Sequence, residues 1–274
     1  MRSIFNIAAL TTLFSTTLAT TPETVPGFTP TWTENFAGTA VNTANWAFWT
    51  GTPSNGEQEV YPGPGVNCQL TASNTLLIVP EKTGGKWTSC RLESHSTFAA
   101  SPGKKIRVQA RLKLGQPGAQ LQGIWPAFWS LGAGIRNNVG WPACGEIDTF
   151  ENIDGSAMGY GTIHCGAKCN DPTGLSQGVP FDYGSFHTWA HVVDLTSSDW
   201  TKQSIEFLLD GNVYNTITGA TIGDRGVWNT LVGPMFMTLN VAVGGAWPGS
   251  VPGNTVSGAA AGMEVQYVAV YNST

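Results

Sequence analysis

Three acidic side chains stand close together in the sequence, at Glu146, Asp148 and Glu151. Like charges repel and acidic residues are poor strand formers, so the clustering needs a physical reason. A calcium site normally takes more oxygen ligands from a looping segment, whereas apolar Ile147 and Phe150 interleave these acids. A solvated acidic strand is the other alternative. Two carboxyl groups in different protonation states can cleave a glycosidic bond, and the cluster favours that acid–base chemistry.

The alternation of a β-strand decides which of these side chains share a face. In a regular strand Glu146, Asp148 and Phe150 lie on one face, and Glu151 lies on the other with Ile147. That register buries an unpaired carboxylate, which is costly. One extra residue, a β-bulge near positions 149–150, brings all three acids to one face and returns the apolar side chains to the core. Bulges are common beside active sites because they re-aim a side chain, so the sequence predicts a bulged strand here.

Short apolar runs between Gly and Pro clusters predict the elements around this strand. The 34 glycines and 16 prolines leave little uninterrupted chain for long helices. Residues 105–113 alternate between apolar residues that face the core and mainly basic residues that face outward. Further strands are predicted at residues 204–209, which lead into an Asp210-Gly211 turn, at Met235–Val243 and at Val265–Tyr271. We expect an all-β fold, a jelly-roll-like sandwich of two antiparallel sheets.

The composition limits the class of partner. Only 11% of the residues are charged, the net charge is −5, and the 13 basic residues are scattered. A nucleic-acid-binding protein would need clustered Lys and Arg to neutralise phosphates, so no nucleic acid is expected. No apolar stretch approaches the length that crosses a bilayer, so no membrane partner is expected either. A neutral partner fits this surface, and we expect a monomer.

The N-terminus and the cysteines indicate export. Met1-Arg2-Ser3 precedes a short apolar run, and Thr17-Leu18-Ala19 offers a small-residue cleavage site. We predict a signal peptide over residues 1–19, one domain over 20–274, and a secreted, extracellular protein. Five cysteines allow 15 arrangements of two disulfides and one thiol, which the sequence alone does not separate. We expect Cys68–Cys90 and Cys165–Cys169 bridges, with Cys144 free.

The hexapeptide of residues 146–151 resembles the signature of glycoside hydrolase family 16 in its bulged form. Similar segments follow in family order over nearly the whole chain after residue 20. They are Asn55–Tyr61, Trp87–Arg91, Gly123–Trp129, Phe186–Trp189, Phe207–Gly211, Leu239–Gly245, Trp247–Gly249 and Val268–Tyr271. Each segment is short, but the ordered set is specific.

This resemblance implies a fold, an activity and roles for the acids. The fold is a concanavalin-like β-jelly-roll with a glycan cleft across one sheet. The activity is endo-hydrolysis of β-1,3 or mixed β-1,3/1,4 glucans with retention of configuration. Glu146 corresponds to the nucleophile, Asp148 to its assisting acid and Glu151 to the general acid/base. Because Glu151 must donate a proton while Glu146 attacks as a carboxylate, we predict the higher pKa for Glu151.

The resemblance also implies a set of substrate-binding side chains. A neutral pyranose offers C–H faces for stacking and hydroxyls for hydrogen bonds, so tryptophans with a few polar anchors suit it. The positions are Asn55, Arg91, Trp129, Trp141, His164 and Trp247. Asn240 is added by the alternation of its strand, which places it opposite Leu239 and Val241, facing glycan or supporting the wall. His187 and His191 are interpreted as structural.

One departure from the family concerns metal binding. Many relatives have an Asp in the C-terminal strand that helps to hold calcium, and this chain has Gln266 there. A neutral amide is a poorer ligand for a hard cation, so we expect no cofactor and weak or absent calcium binding. The alternatives to hydrolysis are a cell-wall glucan transglycosylase and a lectin-like glycan-binding module, because fold alone does not determine function.

Overall fold

The computed structural model describes residues 20–274, and the predicted signal peptide of residues 1–19 lies outside them. Within residues 20–274, no helix is long and apolar enough to cross a membrane.

The described residues form 18 strands and two short α-helices. In chain order the strands are β1 (Phe28–Glu34), β2 (Trp46–Phe48), β3 (Glu59–Val60), β4 (Cys68–Leu70), β5 (Leu76–Ile78), β6 (Glu81–Thr83), β7 (Lys86–Thr88), β8 (Arg91–Ser94), β9 (Lys105–Leu114), β10 (Ile124–Gly132), β11 (Glu146–Glu151), β12 (Met158–His164), β13 (Leu175–Pro180), β14 (His187–Asp194), β15 (Ser204–Leu209), β16 (Asn212–Thr218), β17 (Met235–Val243) and β18 (Met263–Ser273). The helices, α1 (Gly219–Ile222) and α2 (Arg225–Leu231), lie between β16 and β17. Each α-helix begins at a capping side chain, Thr218 for α1 and Asp224 for α2, which accepts from backbone N–H groups of its first turn.

Two large antiparallel sheets contain most of these strands. The eight-stranded sheet has the order β16-β15-β14-β9-β18-β5-β4, and β1 pairs with β18. The seven-stranded sheet has the order β13-β12-β11-β10-β17-β8-β2, which places β11 between β12 and β10. The predicted all-β sandwich is therefore confirmed. A third sheet of three short strands, in which β3 and β7 run parallel, was not predicted.

The hydrophobic core lies between the two large sheets. The inward residues predicted for β9 are all buried there: Ile106, Val108, Ala110 and Leu112. From the opposite sheet, Phe150 of β11 packs on Trp189 of β14, with the ring centroids 4.5 Å apart. This contact anchors the acidic strand on the core.

Two of the outward side chains of β9 do not reach solvent. Arg107 and Gln109 are buried, and Gln109 donates hydrogen bonds to the hydroxyls of Tyr267 and Tyr271. The N-terminal segment covers this layer, because the hydroxyl of Tyr271 donates to the backbone oxygen of Glu23 at 2.9 Å. The eight-stranded sheet thus carries a polar layer beneath the N-terminal segment, where the alternation of β9 predicts outward-facing basic residues.

The disulfide pairing is as expected. Cys68 is bonded to Cys90 and Cys165 to Cys169, and Cys144 is free and buried. The Cys165–Cys169 bridge closes a short loop directly after β12, the neighbour of the acidic strand.

Candidate active site

The predicted bulge is present in β11. Phe128 of β10 is opposite Phe150, but the next residue of β10, Trp129, is opposite Asp148. On the other side Asp148 is opposite Thr162, and the pairing then shifts before Glu151 is opposite Tyr160. Thr149 is therefore the extra residue. Ile147 and Phe150 pack in the core, as the bulge argument required.

The bulge residue is held from the opposite sheet. Thr149 is fully buried, and its Oγ1 lies 2.7 Å from Nδ1 of His191 on β14. Burial, with the nearby charge of Arg107, lowers the pKa of His191 to about 3, so the ring is neutral at neutral pH. A neutral ring can form this hydrogen bond without placing a charge in the core. The structural role predicted for His191 fits this contact.

The three acids lie together on the outer face of the seven-stranded sheet, which we call the site face. At its Glu151 end, Nε1 of Trp125 donates a hydrogen bond to Oε1 of Glu151 at 2.9 Å. Burial, reinforced by the charge of Asp148, raises the pKa of Glu151 to about 8. Since a general acid must carry a proton at working pH, this environment suits Glu151 to that task.

Burial also raises the pKa values of Glu146 and Asp148. The Asp148 charge adds to the effect at Glu146, whereas His164 and Arg91 lower the Glu146 pKa. For Asp148, the charge of Asp171 adds to the effect of burial. All three carboxyls are thus biased toward the protonated form, and His164 and Arg91 oppose this at Glu146. The predicted order, with Glu151 above Glu146, stays a prediction.

His164 links the Glu146 end of the site to a fourth acid. Its Nε2 lies 3.4 Å from Oδ2 of Asp148 and 3.9 Å from Oε1 of Glu146. Its Nδ1 is hydrogen-bonded to Oδ1 of Asp171, which follows the Cys165–Cys169 loop. The ring of Trp141 lies beside the imidazole at a centroid distance of 5.5 Å. The structure therefore brings His164 and Trp141 to the acids, as predicted.

Neighbouring strands extend the site face sideways from the acids. Strand pairing places Glu151 opposite Ala127, Ala127 opposite Asn240, and Asn240 opposite Arg91. Nε1 of Trp129 donates to Oδ1 of Asn240 at 2.7 Å, and the Arg91 guanidinium lies between two indoles, 4.4 Å from Trp49 and 4.7 Å from Trp129. Asn240 is buried, and its Nδ2 donates a hydrogen bond to the Tyr61 hydroxyl. Its side chain therefore supports the wall of the site. Trp129 and Arg91 form the surface above it.

Two other predicted residues border the Glu151 end. Trp247 is 41% exposed and meets the rings of Trp125 and Tyr160 edge-on, at 5.7 Å and 5.2 Å. Asn55 is exposed on the loop before β3, and its backbone oxygen accepts from the N–H of Ala246, next to Trp247. The predicted set therefore lies around one face, with Trp247 and Asn55 near Glu151 and with Trp141 and His164 near Glu146.

Sequence reasoning missed several side chains of this site besides Trp49 and Tyr61, which support Arg91 and Asn240. Trp125 and Tyr160 contact Glu151 or Trp247, Asp171 contacts His164, and Glu57 lies beside Asn55, which donates to its Oε1 at 3.4 Å. The even spacing of Trp125 and Trp129 on one strand was an available signal, because residues four apart share a face. No such signal marked Asp171, which lies in a loop.

Glu57 and Glu59 form a second acidic pair. Burial and the neighbouring Glu59 raise the pKa of Glu57 to about 8. Glu59 is buried, and its Oε2 accepts from the N–H of Val243 at 2.8 Å. This pair fixes the loop before β3 against the end of β17.

The donor atoms of Glu146, Asp148 and His164 lie within 4.8 Å of one another, the one such group of three found among residues 20–274. Their hydrogen-bonding and acid–base chemistry accounts for this proximity, and we assign no ion to them. At the position where many relatives have an acid, Oε1 of Gln266 accepts a hydrogen bond from Arg111 at 2.8 Å. A guanidinium there opposes a bound cation. The expectation of weak calcium binding stays a prediction.

Comparison with known proteins identifies the family. A model described as the XgeA-like catalytic domain of glycoside hydrolase family 16 matches residues 67–179. The crystal structure of an endo-1,3-beta-glucanase from Streptomyces sioyaensis superposes with a TM-score of 0.87 at 34% identity, covering 93% of this chain and 100% of that one. This chain belongs to glycoside hydrolase family 16. Its sandwich is accordingly the β-jelly-roll of that family, as the resemblance implied.

Curated relatives of this chain include a protein named as a hydrolase and one named as a binding protein. A glucan endo-1,3-beta-glucosidase of Cryptopygus antarcticus is 30% identical over 184 residues, or 64% of this chain and 61% of the relative. A beta-1,3-glucan-binding protein of Penaeus monodon is 31% identical over 222 residues, or 70% of this chain and 54% of the relative. The chain thus spans little more than half the length of these two relatives.

Proposed function

We propose that this chain is an endo-acting, retaining hydrolase of β-1,3 or mixed β-1,3/1,4 glucans. The observation that carries the proposal is the bulge at Thr149, which places Glu146, Asp148 and Glu151 on one face. A glycan-binding module has no need of three partly buried acids that repel one another. The family and its glucanase members support the same substrate class.

The proposed reaction uses the two glutamates in turn. Glu151, whose pKa of about 8 keeps it protonated at neutral pH, donates its proton to the glycosidic oxygen as the bond to C1 breaks. Glu146 attacks C1 as a carboxylate and forms a covalent glycosyl-enzyme. Glu151, now ionised, removes a proton from a water that attacks C1 and releases Glu146. Asp148, between them, exchanges a proton with its neighbours as charge moves along the strand.

The side chains around the acids suit a neutral sugar chain. Trp129, Trp141 and Trp247 offer ring faces for stacking, and Arg91 and Asn55 offer hydrogen bonds to hydroxyls. An extended glycan crossing β8, β17, β10, β11 and β12 would pass over the acids, which fits cleavage within a chain. We also propose that the protein acts outside the cell, as a monomer and without a membrane partner. The two disulfides support export.

Release of reducing ends from laminarin, lichenan and cellulose tests this function. We expect cleavage of laminarin or lichenan into oligosaccharides and no cleavage of cellulose. The Glu146→Gln and Glu151→Gln variants should each lose at least about 10³-fold in kcat, because each removes one of two groups that act as a unit. Proton NMR of the first products should show the β-anomer. Binding of glucan without cleavage by the unmutated protein would instead indicate a glycan-binding module.

The transglycosylase alternative is separated by the acceptor. In the presence of laminari-oligosaccharides, a transglycosylase would form products longer than the donor at low acceptor concentration. We expect hydrolysis products to dominate, since the resemblance is to the bulged form of the strand.

A further inference from the structure

Asp171 uses both of its carboxyl oxygens as hydrogen-bond acceptors. Its Oδ2 accepts from the backbone N–H groups of Cys165 and Gly166, at 2.9 Å for Cys165. Its Oδ1 contacts Nδ1 of His164. An ionised carboxylate has no proton to give, so the proton of the third bond belongs to Nδ1 of His164. Asp171 therefore determines which ring nitrogen of His164 carries a hydrogen.

With Nδ1 protonated, the other ring nitrogen faces the acids. Nε2 lies 3.4 Å from Oδ2 of Asp148, a buried oxygen that has no hydrogen-bond partner within the described residues. This oxygen and Nε2 can share one proton, held either by Asp148 or by the imidazole. When the imidazole holds it, a positive charge faces both Asp148 and Glu146.

We propose that Asp171 is a positioning residue of the proposed hydrolase, which holds His164 so that the imidazole shares a proton with Asp148 and stabilises the Glu146 carboxylate. The inference rests on the proposed function, and it assigns a task to the Cys165–Cys169 loop. The loop presents the two backbone N–H groups that hold Asp171 in place. Asp171 itself is not one of the side chains that we expect to contact the glycan.

The charges around Glu146 determine in which direction the pH profile of activity should move when Asp171 is replaced. Asp148 and Glu151 on its own strand disfavour its ionisation. His164 from β12 and Arg91 from β8 favour it, and the thiol of Cys144 lies just before β11. Removing the Asp171 carboxylate frees the imidazole to turn or to change tautomer. His164 then lowers the pKa of Glu146 less than before, so this pKa rises. The acidic limb of the activity profile therefore moves to higher pH.

The decisive comparison is between Asp171→Asn and a matched control, Asp210→Asn. Asp210 makes the same kind of contact away from the acids, with its Oδ2 2.6 Å from Nδ1 of His187 and its Oδ1 2.8 Å from the backbone N of Thr188. For Asp171→Asn we expect kcat on laminarin to fall about 10-fold or more, KM to change little, and the acidic limb of kcat to rise by about 0.5–1 pH unit. For Asp210→Asn we expect the pH profile to be unchanged. An Asp171→Asn profile that keeps its acidic limb overturns the proposal, whatever happens to the melting temperature.

A second measurement needs no variant. Nitrogen-15 NMR of the histidine rings of the unmutated protein should show His164 protonated at Nδ1 at neutral pH, and an unprotonated Nδ1 overturns the proposal. This result stands apart from the proposed function. If the protein cleaves no glucan, the function fails, and the NMR spectrum still decides whether Asp171 holds the ring.

Discussion

At the residue scale, we expect the contact between Trp125 and Glu151 to determine the upper end of the working pH range of the proposed hydrolase. The indole N–H stabilises the carboxylate form of Glu151, whereas burial and Asp148 favour the protonated form. Replacing Trp125 with Phe removes the donor, so the pKa of Glu151 rises above about 8. Because Glu151 must be protonated to act as the acid, we expect the basic limb of kcat/KM to move to higher pH by about 1 unit.

Trp129→Phe is the control for this substitution. Trp129 occupies the same face of the same strand, but its N–H donates to Asn240. Loss of the Trp129 N–H should weaken substrate binding without moving the basic limb of the kcat/KM profile. A basic limb that shifts equally in both variants would assign the effect to general disturbance of the face.

The contrast between Trp125 and Asp171 shows how much of the site the sequence could predict. Residues on a strand follow an alternation, so the three acids and Asn240 could be assigned to faces of their strands from spacing, whereas Trp129 came from the family resemblance. Trp125 satisfies the same alternation, and its partner Glu151 was already identified, so the contact was within reach. Asp171 obeys no period, because its position depends on the loop after β12 and on two backbone N–H groups. Its contact with His164 required the structure.

At the element scale, the bulge connects the two sheets. Its position could be predicted from β11 alone, since a register without it points the Glu151 carboxylate into the apolar core between the sheets. The residue that holds the bulge could not be predicted from the sequence, because His191 lies on the other sheet, 42 residues away from Thr149 in the chain. The same limit applies to the three-stranded sheet, whose parallel pairing joins residues 59–60 with residues 87–88. Contacts between distant segments leave no period in the chain.

Thr149→Val tests the hold on the bulge. Valine keeps the shape of threonine but leaves His191 Nδ1 without its partner in the core. Loss of one partner of a buried hydrogen bond costs about 1–3 kcal/mol, and we expect the free energy of unfolding to fall by that amount. Urea denaturation followed by tryptophan fluorescence measures it.

Thr149→Ser keeps the hydroxyl and serves as the control. It should lose less stability than Thr149→Val, although it removes a methyl group from the core. Equal stability of the valine variant and the unmutated protein would mean that packing, and not this hydrogen bond, holds the bulge.

At the scale of the whole molecule, the site makes the folded protein sensitive to pH. Glu151 and Glu57 have pKa values raised to about 8, so in the folded state they retain protons that the unfolded chain releases near pH 4.5. When the folded state binds more protons than the unfolded one, the free energy of unfolding falls as pH rises. His191 has the opposite sign: its pKa is lowered to about 3, and its contribution to stability is lost as pH falls below 6.5.

These opposite signs define the window in which the site can be measured. Above pH 6.5 the contribution of His191 is constant, so between pH 6.5 and 8 the carboxyls with raised pKa values determine how the free energy of unfolding changes with pH. Each such group contributes up to about 1.4 kcal/mol per pH unit, and we expect the unmutated protein to lose stability across this window. Glu151→Gln removes one of these groups. Its free energy of unfolding should therefore fall less steeply with pH than that of the unmutated protein, and we expect the two slopes to differ by roughly 1 kcal/mol per pH unit. Glu206→Gln, on the eight-stranded sheet, is the control and should keep the original slope. Urea denaturation at several pH values decides the matter: a slope that is the same in all three proteins would mean that Glu151 is already ionised at neutral pH, and it could then not be the proton donor that the proposed reaction requires.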